Sequence, residues 1–446
     1  MQNAATPIQF RVELDGTAVA RGPVRRTGRA LATIGLILVV CFMVVNGATS
    51  WLQVVQWQVN RLNGPGEANS AEDYITFYAA GRLVADGRGT DLYDVDAIRA
   101  VEHEAMGRPV GGSGVLAYFN PPFVAAAFAP LALLPVEIFS TVLLGLVLMT
   151  LLGGGLALKR FLRLTSTREN IAFWLFFLSL HASVWLVVEQ QLSMLLLAGW
   201  LGFAWAQHQG NPRASGLSLA LILVKPQMAL LPVALLVWNR QWQALKAFGA
   251  AAAILVAVSI LISGPSILVE YPRYLLNTTA WESQGVSTAN MLGLNGLVAR
   301  LIGDRSPSPL FVLPFILPTL ASVAYTWKGG WQPASPRFFL QVAITLLAAL
   351  LINPHLYLQD MVLLGLVLTF CVAYSASSGN RMDIWLPVAI GVWFLLLYGP
   401  RIQVNHGIPL VAPAMICLLV ICLRTLSKSH VEANEVESET PLALAA

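Results

Sequence analysis

Charge is what this sequence has least of. Of its 446 residues, 11% are Asp, Glu, Lys or Arg, and 57% are hydrophobic. A soluble globular protein carries about 25% charged residues because its surface must be wetted. A chain with less than half that share must meet lipid over much of its outside. Cysteine is scarce too. The four copies, Cys41, Cys371, Cys417 and Cys422, all sit inside apolar runs, which argues against a disulfide framework or a zinc site, since both need cysteines in polar loops. They read as small buried hydrophobes. The formal net charge of +4 is small and dispersed, so there is no footprint for nucleic acid. No P-loop, G-x-G-x-x-G, H-E-x-x-H or G-x-S-x-G stretch occurs. NTP hydrolysis, dinucleotide chemistry and the common protease arrangements therefore lack support.

What is present is a series of apolar runs from Leu31 to Leu426. With roughly 17–25 residues per spanning helix, hydropathy predicts an all-α polytopic membrane protein with about 12 transmembrane helices. The runs include Leu31–Trp51, Val136–Leu158, Ile171–Val188, Leu192–Gln207, Phe338–Ile352 and Ile408–Leu426. Residues 1–29 are polar, with no small-residue cleavage site after the first run, and read as a cytoplasmic tail rather than a cleaved signal. Residues 30–426 form one integral membrane domain, and 427–446, rich in Glu and Ser, a second cytoplasmic tail.

Lys and Arg mark cytoplasmic loops. Arg25, Arg26 and Arg29, then Lys159, Arg160 and Arg163, then Arg213, then Arg240 and Lys246 sort consistently to one side. Ser215–Trp238 must then go out and return, as a hairpin of two short helices with Lys225 at its outer tip. Both termini fall in the cytoplasm, and the plasma (inner) membrane is the expected location. Loops 53–120 and 264–309 fall outside, and the helical spacing within them predicts short helices lying on the membrane surface.

Several polar residues in these outer segments are candidates for chemistry. Asp73 follows the first span; Ser70-Ala71-Glu72-Asp73 also fits a capping box, with Asp73 at the third helical position. Tyr78 and Arg82 lie on the same helix, and at about 100° per residue Arg82 points nearly opposite to Asp73. Lys225 interrupts an apolar hairpin, at a cost of about 2.5–3.5 kcal/mol if it lies deep, which anionic partners would justify. Asn353-Pro354-His355 with Tyr357 and Asp360 is a polar knot between apolar runs, and Glu189-Gln190-Gln191 with Ser193 marks another outer turn. Asp94-Val95-Asp96 matches a D-x-D metal pattern but sits among Asp91 and Glu102 on a solvated stretch, and reads as structural. No metal or other cofactor is expected.

In order, these pieces resemble one family. Asp73-Tyr-Ile-Thr-Phe-Tyr78-Ala-Ala-Gly-Arg82, Asp91-Leu-Tyr93, Tyr118-Phe-Asn-Pro-Pro122 and Pro130 to Pro135 are similar to the N-terminal signature of the family-87 glycosyltransferases. Gln191-Leu-Ser193, Lys225-Pro226-Gln227 and Asn353-Pro354-His355 before Tyr357 continue the match, which covers about Asp73 to Tyr374. The resemblance implies a GT-C-type fold and an inverting mechanism. It implies a polyprenyl-phosphate-linked sugar donor and a lipid or glycan acceptor; the family includes mannosyltransferases that build phosphatidylinositol mannosides. It implies Asp73 as general base, His355 near the donor phosphate and Lys225 on that phosphate, with Tyr78, Arg82, Gln191, Asn353 and Tyr357 as further substrate contacts. Two departures stand out: Phe119-Asn120 where Tyr-Pro or Ser-Pro is commoner, and Gln190 where Gly often precedes the Gln. A transporter or lipid flippase shares the composition, and a non-enzymatic partner in envelope synthesis is a third reading. Transporters gather ionisable residues near the midplane and often show inverted repeats, whereas here they gather at one face.

Overall fold

In lipid the backbone must satisfy its own hydrogen bonds, which favours helices. The computed structural model describes residues 23–63, 73–111, 113–277, 281, 284, 286–303, 306–378 and 384–439, and among these it contains helices and turns but no strand. The helices in chain order are α1 (Pro23–Asn63), α2 (Tyr74–Ala85), α3 (Val95–Met106), α4 (Pro122–Phe128), α5 (Val136–Phe161), α6 (Thr167–Ser179), α7 (His181–Val188), α8 (Ser193–His208) and α9 (Pro212–Ala220). They continue with α10 (Leu230–Trp238), α11 (Trp242–Ser263), α12 (Ile267–Leu276), α13 (Leu294–Leu301), α14 (Pro309–Thr326), α15 (Arg337–Ile352), α16 (Val362–Ser378), α17 (Trp385–His406) and α18 (Val411–Glu439).

The expected count of about 12 crossings is corrected by this architecture. Among the described residues, six helices are long and apolar enough to cross a membrane: α1, α5, α11, α14, the run Leu358–Ser378 that contains α16, and α17. The bent pair α6 and α7 adds a seventh if it is one span. The reason is length and surroundings. Helices α8 and α15 have 16 residues each and reach about 24 Å, short of a hydrocarbon layer of about 30 Å. Every residue of α15 from Phe338 to Leu351 is buried. It is apolar because protein surrounds it, and hydropathy cannot tell that from lipid. By contrast α11 buries only Ala244, Ser259 and Ser263 along its 22 residues.

Two breaks are informative. Ile171–Val188 bends by 51° at Leu180, and indoles take up carbonyls beside the bend: Trp51 Nε1 donates to Leu178 O at 3.0 Å and Trp393 Nε1 to Ser179 O at 3.1 Å. Such side-chain rescue is what permits a broken helix in an apolar setting. Ser215–Trp238 is the second. Helix α9 runs through a 3-10 turn to Val224, the chain turns at Lys225, and a second 3-10 turn leads into α10. Gly216 packs its backbone on the Ala244 carbonyl with no room for a Cβ, and α10 enters α11 directly through residues 239–241. Both ends of the hairpin thus lie at the N-terminal end of α11, with Lys225 at the far tip. Each arm rises roughly 20 Å, too little to cross.

The 53–120 segment also differs from expectation. Helix α1 continues to Asn63, and α2 buries eight of its twelve residues, Tyr74, Ile75, Thr76, Phe77, Ala79, Ala80, Gly81 and Leu83. It is a core element rather than a membrane-surface helix. Residues 1–22 of the N-terminal tail, the Ser70 capping position and residues 440–446 lie outside the described residues; α18 carries the chain helically to Glu439. Cys371 and Cys422 are buried with their sulfurs 3.6 Å apart, whereas Cys41 and Cys417 are exposed, so only the first two are buried hydrophobes.

Candidate active site

Polar groups in an apolar chain need partners, and following those partners leads to one place. A cavity of about 660 Å³ is lined by Asp73, Gln191, Lys225, His355 and Tyr357, drawn from four well-separated stretches of sequence, together with Glu189, Phe119, Tyr271 and Trp281. Asp73 precedes α2 with helical backbone, and its side chain makes no capping bond. Its carboxylate is turned instead to the cavity, where Gln191 Nε2 donates to Oδ2 at 2.7 Å. The Asp73 N–H points to Glu189 Oε2 at 3.4 Å. Burial pushes the Asp73 carboxyl above the ordinary aspartate range, the Gln191 bond and the Lys225 charge oppose that rise, and the Asp360 charge adds to it.

Lys225 is buried and pairs with Asp360, Nζ to Oδ1 at 2.6 Å and to Oδ2 at 2.8 Å. Asn120 Nδ2 donates to Val224 O at 3.0 Å, and Gln227 Nε2 to Asn353 Oδ1 at 3.4 Å. The hairpin tip is therefore tied both to the Phe119-Asn120 turn and to the Asn353–Tyr357 turn. Asn353 sits beneath the cavity and shapes that turn, since its Oδ1 also accepts the His355 N–H at 3.1 Å. His355 packs between rings, 4.7 Å from Phe119, 5.4 Å from Trp281 and 4.9 Å from Tyr357 by centroid. Burial, and then the Lys225 charge, lower its pKa to about 3. It is neutral at neutral pH, and Lys225 is the cation of this wall.

Tyr78 and Arg82 are not brought to the site. Tyr78 packs edge-on against Phe139 at 5.3 Å, and Arg82 forms a half-exposed ion pair with Asp86 at 3.1 Å. Asp94 Oδ1 accepts from the Asp96 and Ala97 N–H groups as the cap of α3, and Asp96 pairs with Arg99. Among the described residues, no three His, Cys, Asp or Glu gather as a metal site. Replacing Asp94 by Ala should cost about 1 kcal/mol of stability, as loss of a helix cap does, and leave turnover per folded molecule unchanged. A thermal melt alongside an activity assay checks both halves.

Sequence reasoning gave Glu189 and Asp360 no role, and named Phe119 only as a departure. The signal for Asp360 was there: it is the one charged residue in Leu358–Ser378, as Lys225 is within 214–238. The Gln190 departure has a physical reading as well. Gln190 holds φ of +52°, a left-handed conformation that Gly adopts freely and other residues only at a cost. Its side chain compensates by bonding the Ser140 hydroxyl at 3.1 Å.

A carboxylate bonded by an amide and an ammonium held by a buried acid thus line one cavity. Residues 118–354, just over half of the chain, match glycosyltransferase family 87. The chain belongs to that family of GT-C-type, multi-span glycosyltransferases and is an enzyme that transfers sugar. Asp73 precedes the matched region and His355 directly follows it. No curated protein and no solved structure matches the chain.

Gln191→Leu gives a pH signature. The resemblance implies Asp73 as general base, which works as the anion, and the Gln191 bond favours that anion. Without it the Asp73 carboxyl rises further, so the acid limb of kcat/KM should move to higher pH. A limb unmoved from wild type would show that Asp73 is not the titrating group.

Proposed function

We propose that the enzyme moves a sugar from a polyprenyl-phosphate carrier to a hydroxyl of a lipid or glycan acceptor at the extracytoplasmic face of the plasma membrane. The observation that carries this reading is the meeting of Asp73, Gln191, Lys225, His355 and Tyr357 on one cavity. Its rim suits a prenyl donor, because Leu230 and Leu276 line the cavity while being 68% and 80% exposed. Apolar surface left open in this way favours lipid chains.

The chemistry follows from the charges. Asp73 takes the proton of the acceptor hydroxyl as its oxygen attacks the anomeric carbon. The bond from that carbon to the carrier phosphate breaks, and its electron pair leaves on the phosphate oxygen. One displacement from the opposite face inverts the anomeric centre. Lys225 steadies the charge growing on the leaving phosphate, with neutral His355 and the Tyr357 hydroxyl as hydrogen-bonding partners. Gln191 orients the base and Asn353 the turn. Tyr78 and Arg82 have no part in this scheme.

A panel of polyprenyl-phosphate sugars offered to purified protein tests the reading: free polyprenyl phosphate should appear with at least one of them, and silence across the panel would refute it. With an ammonium in place at the phosphate, chelation should leave most of that activity intact. Loss in EDTA, restored by magnesium or manganese, would contradict this. Because Asp73 follows the first span and shares one cavity with Lys225 and His355, all three are expected to face outward. Cysteines placed at Lys225 and at Trp281 should both label from outside whole cells, and a protected position 225 with a labelled 281 would reverse the hairpin.

A further inference from the structure

The buried acid behind Lys225 is unused by the scheme above. Asp360 is fully buried, at the start of the apolar run that becomes α16. Its carboxylate takes two bonds from Lys225, one from the Ser193 hydroxyl at 2.6 Å and a long one, 3.5 Å, from the Tyr357 N–H. Three separate elements therefore meet on one carboxylate: the hairpin tip, the start of α8 and the turn before α16. An ammonium has three N–H donors. Two are engaged by Asp360, which leaves the third for the cavity that Lys225 lines.

A buried ion pair is seldom a net source of stability, because desolvation of both charges offsets their attraction, and apolar replacements of similar volume often do as well or better. The pair is better explained by what it does to Lys225. A lone ammonium on a flexible stem within an apolar hairpin would have no fixed position. Asp360 gives it one, through bonds of 2.6 and 2.8 Å. We propose that Asp360 is a positioning residue for sugar transfer, holding the Lys225 ammonium fixed at the cavity wall from which the carrier phosphate departs. The inference rests on the reading of Lys225 as the contact of that phosphate. Preorganisation of this kind is what makes a charge effective in the transition state, since nothing has to move when the charge develops. The other titratable groups sharing the cavity with Lys225 are Asp73 on the α2 side, Glu189 at the end of α7, His355 and Tyr357 in the turn before α16, and Tyr271 on α12.

The test compares wild type, Asp360→Asn, Asp360→Glu and Asp73→Asn as full-length protein, using the polyprenyl-phosphate sugar that wild type turns over. Asp360→Asn keeps the size and an oxygen for Ser193 but removes the charge. Its kcat should fall on the order of 10²-fold. The donor KM should stay near wild type, because the loss falls on the transition state. Asp360→Glu restores the charge but displaces Nζ, so its kcat should lie between those of wild type and the Asn variant, and it decides the matter if the Asn variant does not fold. Wild-type kcat in Asp360→Asn, or wild-type kcat in Asp360→Glu, would overturn the inference. If wild type itself turns over no lipid-phosphate sugar, or Asp73→Asn is fully active, the functional reading fails instead.

Discussion

Asp73→Asn should abolish nearly all sugar transfer while leaving the protein folded. An alcohol is a poor nucleophile at neutral pH, and positioned general-base catalysis contributes roughly 10²–10⁴-fold in rate. Asn keeps the shape of the side chain, and Gln191 can still donate to its oxygen, but the amide cannot take a proton. Transfer per folded molecule should fall at least about a hundredfold, from the lower end of that range, with donor binding near normal. Asp73→Glu should also be poor, because a displacement of about one ångström at a reacting group can cost about a hundredfold. Stability gives the contrast. Asp73 makes no side-chain cap, so neither variant should lose even the roughly 1 kcal/mol of a broken N-cap. Normal turnover in Asp73→Asn would mean that the base lies elsewhere.

Lys225→Met should be damaging twice over. It removes the cation facing the carrier phosphate, for which a loss of about 10²–10³-fold in kcat is typical of a missing transition-state donor. It also leaves Asp360 buried without its counterion, and breaking such a pair from one side costs about 3–5 kcal/mol. The two effects can be separated. The double variant Lys225→Met, Asp360→Leu replaces both charges with apolar groups and should regain most of the lost stability, since well-packed apolar substitutes for buried pairs are often neutral or better. It should regain none of the transfer. Recovery of activity along with stability would reduce Lys225 to a structural lysine.

The same pair shows where the sequence stops being readable. A lysine breaking an apolar hairpin announces itself, because burying that charge unpaired is too costly to be accidental. Its partner, 135 residues further on, is invisible to local spacing. The turn at Asn353–Tyr357 was legible for a similar reason, being polar and proline-containing between two apolar helices. The all-α character was legible as well. The number of crossings was not, because α15 is as apolar as a lipid-facing helix while buried along nearly its whole length. Helix α2 carried a second ambiguity. Its periodic apolar face suggested the membrane surface, but small residues at Ala79, Ala80 and Gly81 let it pack on its remaining sides too; Gly81 approaches the Phe128 backbone with almost no space for a Cβ. Arg82 and Tyr78 were implied as substrate contacts by the resemblance, since they share the Asp73–Arg82 stretch. The 100° rotation per residue already turned Arg82 away from Asp73, and it lies beside Asp86 at the exposed end of α2.

A structure with a non-transferable phosphonate analogue of a polyprenyl-phosphate sugar would show where the donor sits. The phosphonate should lie within hydrogen-bond reach of Lys225 Nζ and His355, with the sugar's anomeric carbon toward Asp73 and the prenyl chain leaving past Leu230 and Leu276. An analogue seated instead in the apolar groove between α1 and α6, lined by Gly47, Trp51, Asn170 and Trp174, would contradict the account.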